Sequence, residues 1–138
     1  MARYMLDTDT CGFIMRGASD VLLKRLLSVH EDEIVISAIT AAELQYGVEN
    51  AGQKYRKANQ QTLNRFLTYY KALPWPSDAA KSYAVTRLAL KQKGNMIGAN
   101  DLLIASHALH ENLTVVTNNT REFARVAGLS VENWTSSD

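Results

Sequence analysis

The chain has 138 residues, 46% of them hydrophobic and 21% charged, with 15 Lys and Arg against 14 Asp and Glu for a net charge of +1. That length suits one folded domain with a sizeable core, and the near-neutral balance argues against a protein that binds nucleic acid through bulk charge alone. No apolar run reaches the roughly 18 residues of a membrane span, the opening MARYMLDTDT lacks the apolar stretch of a secretory signal, and Cys11 is the only cysteine, so no internal disulfide forms; a cytoplasmic protein without membrane contact is expected.

In chain order, RYMLD at 3–7 predicts a strand that stops abruptly at Asp7, Thr8 and Asp9. Val21, Leu22, Leu26 and Val29 fall at helical spacing within 19–29. EIVIS at 33–37 is a β-branched strand, followed by a helix from near 40 to about 50. A long polar helix spans 53–72, the nearest feature to an inserted arm. Pro74 and Pro76 then break the chain over 73–78. A helix capped by Ser77 or Asp78 runs to about 93, and another covers 100–111. LTVVT at 113–117 is a third strand, followed by a short helix at 120–126 and an extended piece near 129–134. Strands alternating with helices predict an α/β fold around a parallel sheet.

This order places the acids. In open parallel sheets ligands bind beyond the carboxyl ends of the strands. Asp7 and Asp9 end the first strand, Glu43 lies in the first turn of the helix after the second, Asp101 lies in the first turn of its helix, and Glu122 follows the third strand. Asp7, Glu43, Asp101 and Glu122 are thus expected along one rim. Taken singly, each acid also fits a turn or a cap: Thr40-x-x-Glu43 and Asn119-x-x-Glu122 have capping-box spacing, and Asp101 suits a helix dipole. Four independent caps need not share one sheet edge, so the joint placement favours chemistry. Clustered carboxylates raise one another's pKa unless a cation joins them. Mg²⁺ and Mn²⁺ prefer oxygen ligands, and such an ion can turn water into a nucleophile for a phosphodiester.

Other residues have plainer roles. His107 and His110 lack the further ligands a zinc site needs and are expected on a helix surface or interface. Cys11 has no neighbouring base and is expected to be a packed thiol. Tyr69, Tyr70, Trp75 and Trp134 could stack bases, but burial is the commoner fate of aromatics.

Two families share parts of this pattern. Asp7-x-Asp9 and LTVVTNN resemble the haloacid dehalogenase phosphatases, but no lysine and no Asp–Asp pair follow Thr117, and Cys11 stands where Thr or Val is usual. YMLDTDT at 4–10, ISAITAAELQYGVE at 36–49, IGANDLLIASHA at 97–108 and VVTNNTREFARVAGLSVENW at 115–134 together resemble a PIN-domain ribonuclease, and more narrowly the VapC toxins of bacterial toxin–antitoxin modules. The likeness covers nearly the whole chain with its motifs in the family's order. It implies a single PIN domain over 1–138, with a three-layer α/β/α architecture, and an endoribonuclease that cuts structured RNA, tRNA or rRNA, through metal-activated water.

The resemblance assigns Asp7, Glu43 and Asp101 as metal ligands holding Mg²⁺, with Mn²⁺ an alternative. An aspartate common after the family's Thr-Asn is replaced here by Asn119, which leaves Glu122 to complete the set. Asp9 stands where Asn is common. Thr8, Asp9, Thr117, Asn118 and Asn119 are candidates for hydrogen-bonding the carboxylates, metal water or substrate. The family further implies a homodimer neutralised by a VapB-type antitoxin whose tail crosses the active-site groove. The alternatives are a metal-dependent phosphatase or DNA nuclease using the same acids, or a noncatalytic interaction module.

Overall fold

The computed structural model describes residues 1–136. Its centre is built from the short apolar runs. Tyr4–Leu6 (β1) and Ile34–Ser37 (β2) are buried at every residue, as strands covered on both faces must be. With Lys71–Leu73 (β3), Thr114–Val116 (β4) and Val131–Glu132 (β5) they form a five-stranded sheet in the order β3-β2-β1-β4-β5. Every adjacent pair is parallel, and Leu6 sits between Ile36 and Val116.

Among the described residues, seven α-helices surround the sheet: Thr8–Arg16 (α1), Asp20–Leu27 (α2), Ala38–Asn50 (α3), Gln53–Tyr69 (α4), Ala80–Gln92 (α5), Ala99–Glu111 (α6) and the single turn Thr120–Phe123 (α7). The period-two alternation of strand side chains decides the layers. Met5, Val35 and Val115 pack with Leu90 of α5 and Leu102, Ile104 and Ala105 of α6. Leu6, Ile34, Ile36 and Val116 pack on the other face with Cys11, Leu22, Leu26 and Phe66 from α1, α2 and α4. Each such aliphatic side chain contributes about 1.5–3 kcal/mol by leaving water. The expected three-layer α/β/α arrangement is therefore present. Cys11 is a fully buried thiol, as expected, and burial pushes its pKa well up.

The chain steps outward from β1 to β2 and β3, then returns to the opposite side of β1 with β4 and β5. The order reverses between β1 and β4, and such reversal points open a crevice at the carboxyl edge.

Three expectations need correction. Residues 8–16 form a helix where only the end of a strand was expected. Asp7 caps it by accepting from Thr10 N at 2.9 Å, and Gly17 closes it with φ 63°. Gly12, Cys11 and the threonines have modest helix propensity, so packing of Cys11 in the core outweighs it. Residues 71–73 form the edge strand β3 rather than the end of a helix and a break. Leu73 precedes Pro74, whose ring disfavours helical geometry there, and the segment pairs with Val35–Ser37. His107 is not on a surface: it is fully buried, its Nδ1 2.9 Å from Ser37 Oγ, and burial lowers its pKa. His110 is exposed, as expected.

The aromatics largely follow expectation. Trp134 is buried edge-on to Tyr4, and Trp75 Nε1 donates to Leu103 O, while Tyr69 is exposed.

Candidate active site

Asp7 stands at the end of β1, beside the reversal point. Its backbone N–H continues the sheet by donating to Val116 O at 3.0 Å. Its side chain is 3% exposed. Oδ1 accepts from Thr10 N, and Oδ2 accepts from Thr117 Oγ1 at 2.6 Å. Thr117, the residue after β4, also accepts from Asn119 N at 2.8 Å. A single hydroxyl thus joins β1 to the loop that carries Asn119 and Glu122. Burial raises the Asp7 pKa, the bonds from Thr117 and Thr10 oppose that, and the nearby Asp9 adds to it.

Glu43 reaches the same edge from α3. That helix begins at Ala38, capped by Ser37 Oγ accepting from Ile39 N at 3.1 Å, so Glu43 lies in its second turn rather than its first. The capping-box alternative for Glu43 does not hold. Its Oε1 instead accepts from Thr8 Oγ1 at 2.5 Å and its Oε2 from Asn100 Nδ2 at 3.1 Å. Those bonds link α3 to the starts of α1 and α6.

Asp101 is the third residue of α6, and its backbone neighbour Gly98 begins that helix without a side-chain cap. Glu122 supplies what the cap lacks: its Oε1 accepts from Gly98 N at 2.9 Å, while Oε2 accepts from Asn119 Nδ2. A Cβ at position 98 would lie 3.4 Å from Asp101 Oδ2 and 3.6 Å from Glu122 Oε1, so glycine leaves room for both carboxyls.

The Asp101 carboxyl is pushed up to about 7 from 3.8. Burial is the main cause, followed by its hydrogen bond to Glu122 and the charges of Glu122, Asp7 and Glu43. The other three predicted acids, Asp7, Glu43 and Glu122, thus all act on Asp101. Asp9 is exposed on the first turn of α1 and faces a groove rather than the cluster's centre. Asn119 begins α7 by position, but its side chain serves Glu122, not the helix N–H groups. The side-chain atoms of Asn118 are buried without a hydrogen-bond partner among the described residues.

The donor set fits a hard divalent cation. The ligating atoms are all oxygens, and the raised Asp101 carboxyl reflects burial and like-charge crowding that a bound cation would offset. Among the described residues no three His, Cys, Asp or Glu side chains stand preassembled as a cage. Mg²⁺ does not require one, since it keeps several waters and uses one or two carboxylates.

Asn100 and Gly98 were missed as partners of Glu43 and Glu122. Their signal was adjacency to Asp101 within GAND, but the hydrogen bonds cross between helices far apart in sequence.

Residues 4–129 match the PIN domain family. The chain belongs to that family. The PIN-domain chain is 43% identical over 132 residues to a protein of Rickettsia felis called Ribonuclease VapC2, covering 95% of this chain and 97% of that one. It is 35% identical to the tRNA(fMet)-specific endonuclease VapC of Salmonella typhimurium, covering 97% and 99%. Among solved structures, DNA-bound VapBC from Salmonella typhimurium superposes with a TM-score of 0.89 at 34% identity, covering 97% and 99%. VapBC2 from Rickettsia felis, bound to a promoter DNA fragment, gives a TM-score of 0.86 at 41% identity, covering 95% and 98%. Within the PIN-domain family the chain groups with the VapC ribonucleases.

Proposed function

We propose that this protein is the toxin of a type II toxin–antitoxin module, a Mg²⁺-dependent endoribonuclease that cuts structured RNA such as tRNA or rRNA. The observation that carries this reading is the meeting of Asp7, Glu43, Asp101 and Glu122 at the sheet's reversal point, with the Asp101 carboxyl pushed up to about 7 by burial first and by its acidic neighbours second. Residues 1–138 act as one PIN domain in the cytoplasm; no helix of the described residues is long and apolar enough to cross a membrane.

Asp7, Glu43 and Asp101 would hold the cation, directly or through waters, and Glu122 would complete the set. When bound, Mg²⁺ or Mn²⁺ supplies the Lewis acidity that makes water a nucleophile and offsets charge on the phosphate. Thr117 and Thr10 fix the Asp7 carboxylate, and Thr8 with Asn100 fixes Glu43, so the ligands need little rearrangement. Asn119 and Gly98 aim Glu122 beside Asp101. Attack by water forms a new bond to phosphorus while the bond to the 3′ oxygen breaks and that oxygen takes a proton. The products carry 5′-phosphate and 3′-hydroxyl ends.

The relatives solved as VapBC complexes support a VapB-type antitoxin as partner, and a homodimer is part of the same proposal. The test is cleavage of total cellular RNA by purified protein with Mg²⁺, with EDTA, and with Asp7→Asn. Discrete fragments only from the wild type with Mg²⁺ support the reading. Cleavage of single-stranded DNA or a phosphate monoester in preference to RNA would replace it with one of the other hydrolase classes.

A further inference from the structure

Beyond the carboxylates, a groove of about 500 Å³ runs between α1, α3 and α4. Thr8 and Glu43 belong both to its lining and to the site, so it opens directly onto the cluster. Leu44 and Leu63 form apolar wall, and Gly47 adds open space, since a Cβ there would meet nothing within 4 Å.

Arg16 also lines this groove. It lies in the last turn of α1, and like most long helical side chains its own runs back toward the carboxylate end, over Gly12. A Cβ on Gly12 would stand 3.0 Å from Arg16 Nη1, so the guanidinium would have to give by a few tenths of an ångström. The guanidinium stacks at 5.2 Å on Phe13 and has no ion-pair partner among the described residues. A guanidinium without a carboxylate partner, on the wall of a groove that opens onto the cluster, is placed to meet an anion lying in that groove.

We propose that Arg16 is a phosphate-binding residue that grips the RNA backbone beside the scissile bond, through the groove between α1, α3 and α4. The proposal rests on the ribonuclease reading for its substrate class. Gly12 is four residues beyond Thr8, about 6 Å along the helix axis, so Arg16 stands along the groove from the carboxylates rather than among them. A guanidinium fork matches two phosphate oxygens at once, which a lysine ammonium cannot. Asp9 and Glu43 at the mouth repel phosphate, and Arg16 supplies the opposing positive charge on the groove wall with or without a cation at the cluster.

The experiment measures binding of end-labelled bulk tRNA to metal-free protein across about 50 to 200 mM KCl, and separately the KM and kcat for its cleavage with Mg²⁺. Arg16→Ala should weaken binding about 10-fold and lower the slope of log affinity against log salt by about one. Its KM should rise by about the same factor, with kcat changed less than about twofold. Arg16→Lys keeps the charge and should retain the slope but lose part of the affinity. Gly12→Ala keeps the arginine and moves its guanidinium by only a few tenths of an ångström, so it should weaken binding less than Arg16→Ala does, with the fold intact by circular dichroism. Arg16→Ala binding tRNA with wild-type affinity and slope would overturn the proposal and leave the groove to a peptide. Failure of the wild type to bind tRNA overturns it too. Binding that depends on Arg16 without cleavage in any divalent metal supports the phosphate contact and instead refutes the ribonuclease reading.

Discussion

Replacing Asp101 by Asn should stabilise the metal-free protein, by an amount that grows with pH. The Asp101 carboxyl sits near 7 instead of 3.8 because it is buried among Glu122, Asp7 and Glu43. A carboxyl with a raised folded-state pKa favours folding while protonated. That contribution is complete below about 3.8 and is lost as pH rises through about 7. At about 1.36 kcal/mol per pH unit, the full displacement would correspond to about 4 kcal/mol. Asp101 keeps partial solvent contact, and screening reduces this to about 1–2 kcal/mol. Asparagine cannot ionise, and it keeps an N–H donor for Glu122. For a chain of 138 residues, 1 kcal/mol moves the melting temperature about 3–4 °C. Asp101→Asn should therefore melt together with the wild type at pH 4 and about 3–8 °C above it at pH 8, with EDTA present throughout. His107, whose neighbours in charge are Glu111 and His110 rather than Asp101, titrates alike in both proteins and cancels in the difference. Thermal melts followed by circular dichroism across this range decide the matter. With Mg²⁺ added, the order at pH 8 should invert, because only the wild type gains a ligand. Melting curves that run parallel at every pH, or a variant less stable at pH 8, would refute the like-charge account of the cluster.

Three further outcomes follow from the same geometry. Asp7→Asn should lower RNA cleavage about 100-fold or more, the scale of removing a preorganised group from a charged transition state, while circular dichroism stays unchanged. Thr117→Val removes the donor to Asp7 and the acceptor for Asn119 N; it should lose about 1–3 kcal/mol of stability in urea titration and about 10-fold or more in cleavage, with Thr117→Ser recovering most of both. Gly98→Ala places a methyl 3.4 Å from Asp101 Oδ2, so cleavage should fall about 3- to 10-fold through misplaced carboxylates, while the melting temperature moves by less than about 4 °C.

The acids were legible in the sequence because their placement needs only the direction of strands and helices. Asp7 ends a strand and Asp101 begins a helix, and in a parallel sheet those two points share an edge. Glu43 was located at the right edge for a partly wrong reason. Counting α3 from Thr40 put it in a capping box, whereas Ser37 had already capped the helix and left Glu43 free for Thr8 and Asn100. Helix α1 was hidden by its composition, although Asp7 and Gly17 were its two stop signals. Strand β3 is three residues long, too short to show any period. The burial of His107 was illegible for a different reason. Its spacing to His110 describes a helix face, but which face meets β2 depends on how α6 packs, and only the contact with Ser37 reveals that. Hydrogen bonds that fasten one carboxylate-bearing helix to the next are tertiary facts, and no local pattern announces them.

The hydroxyl bridge from Thr117 to Asp7 spans 110 positions of the chain. A chain under synthesis that has passed Asp7 cannot form this bridge until Thr117 has been made and β4 has docked beside β1. At roughly 5–20 residues per second, the 110 positions between them take about 5–20 s to make. Throughout that interval the Asp7 carboxylate lacks its hydroxyl partner, and Glu122 is still missing from the cluster. A truncation anywhere before β4 would hold Asp7 and Glu43 without the loop that completes the arrangement.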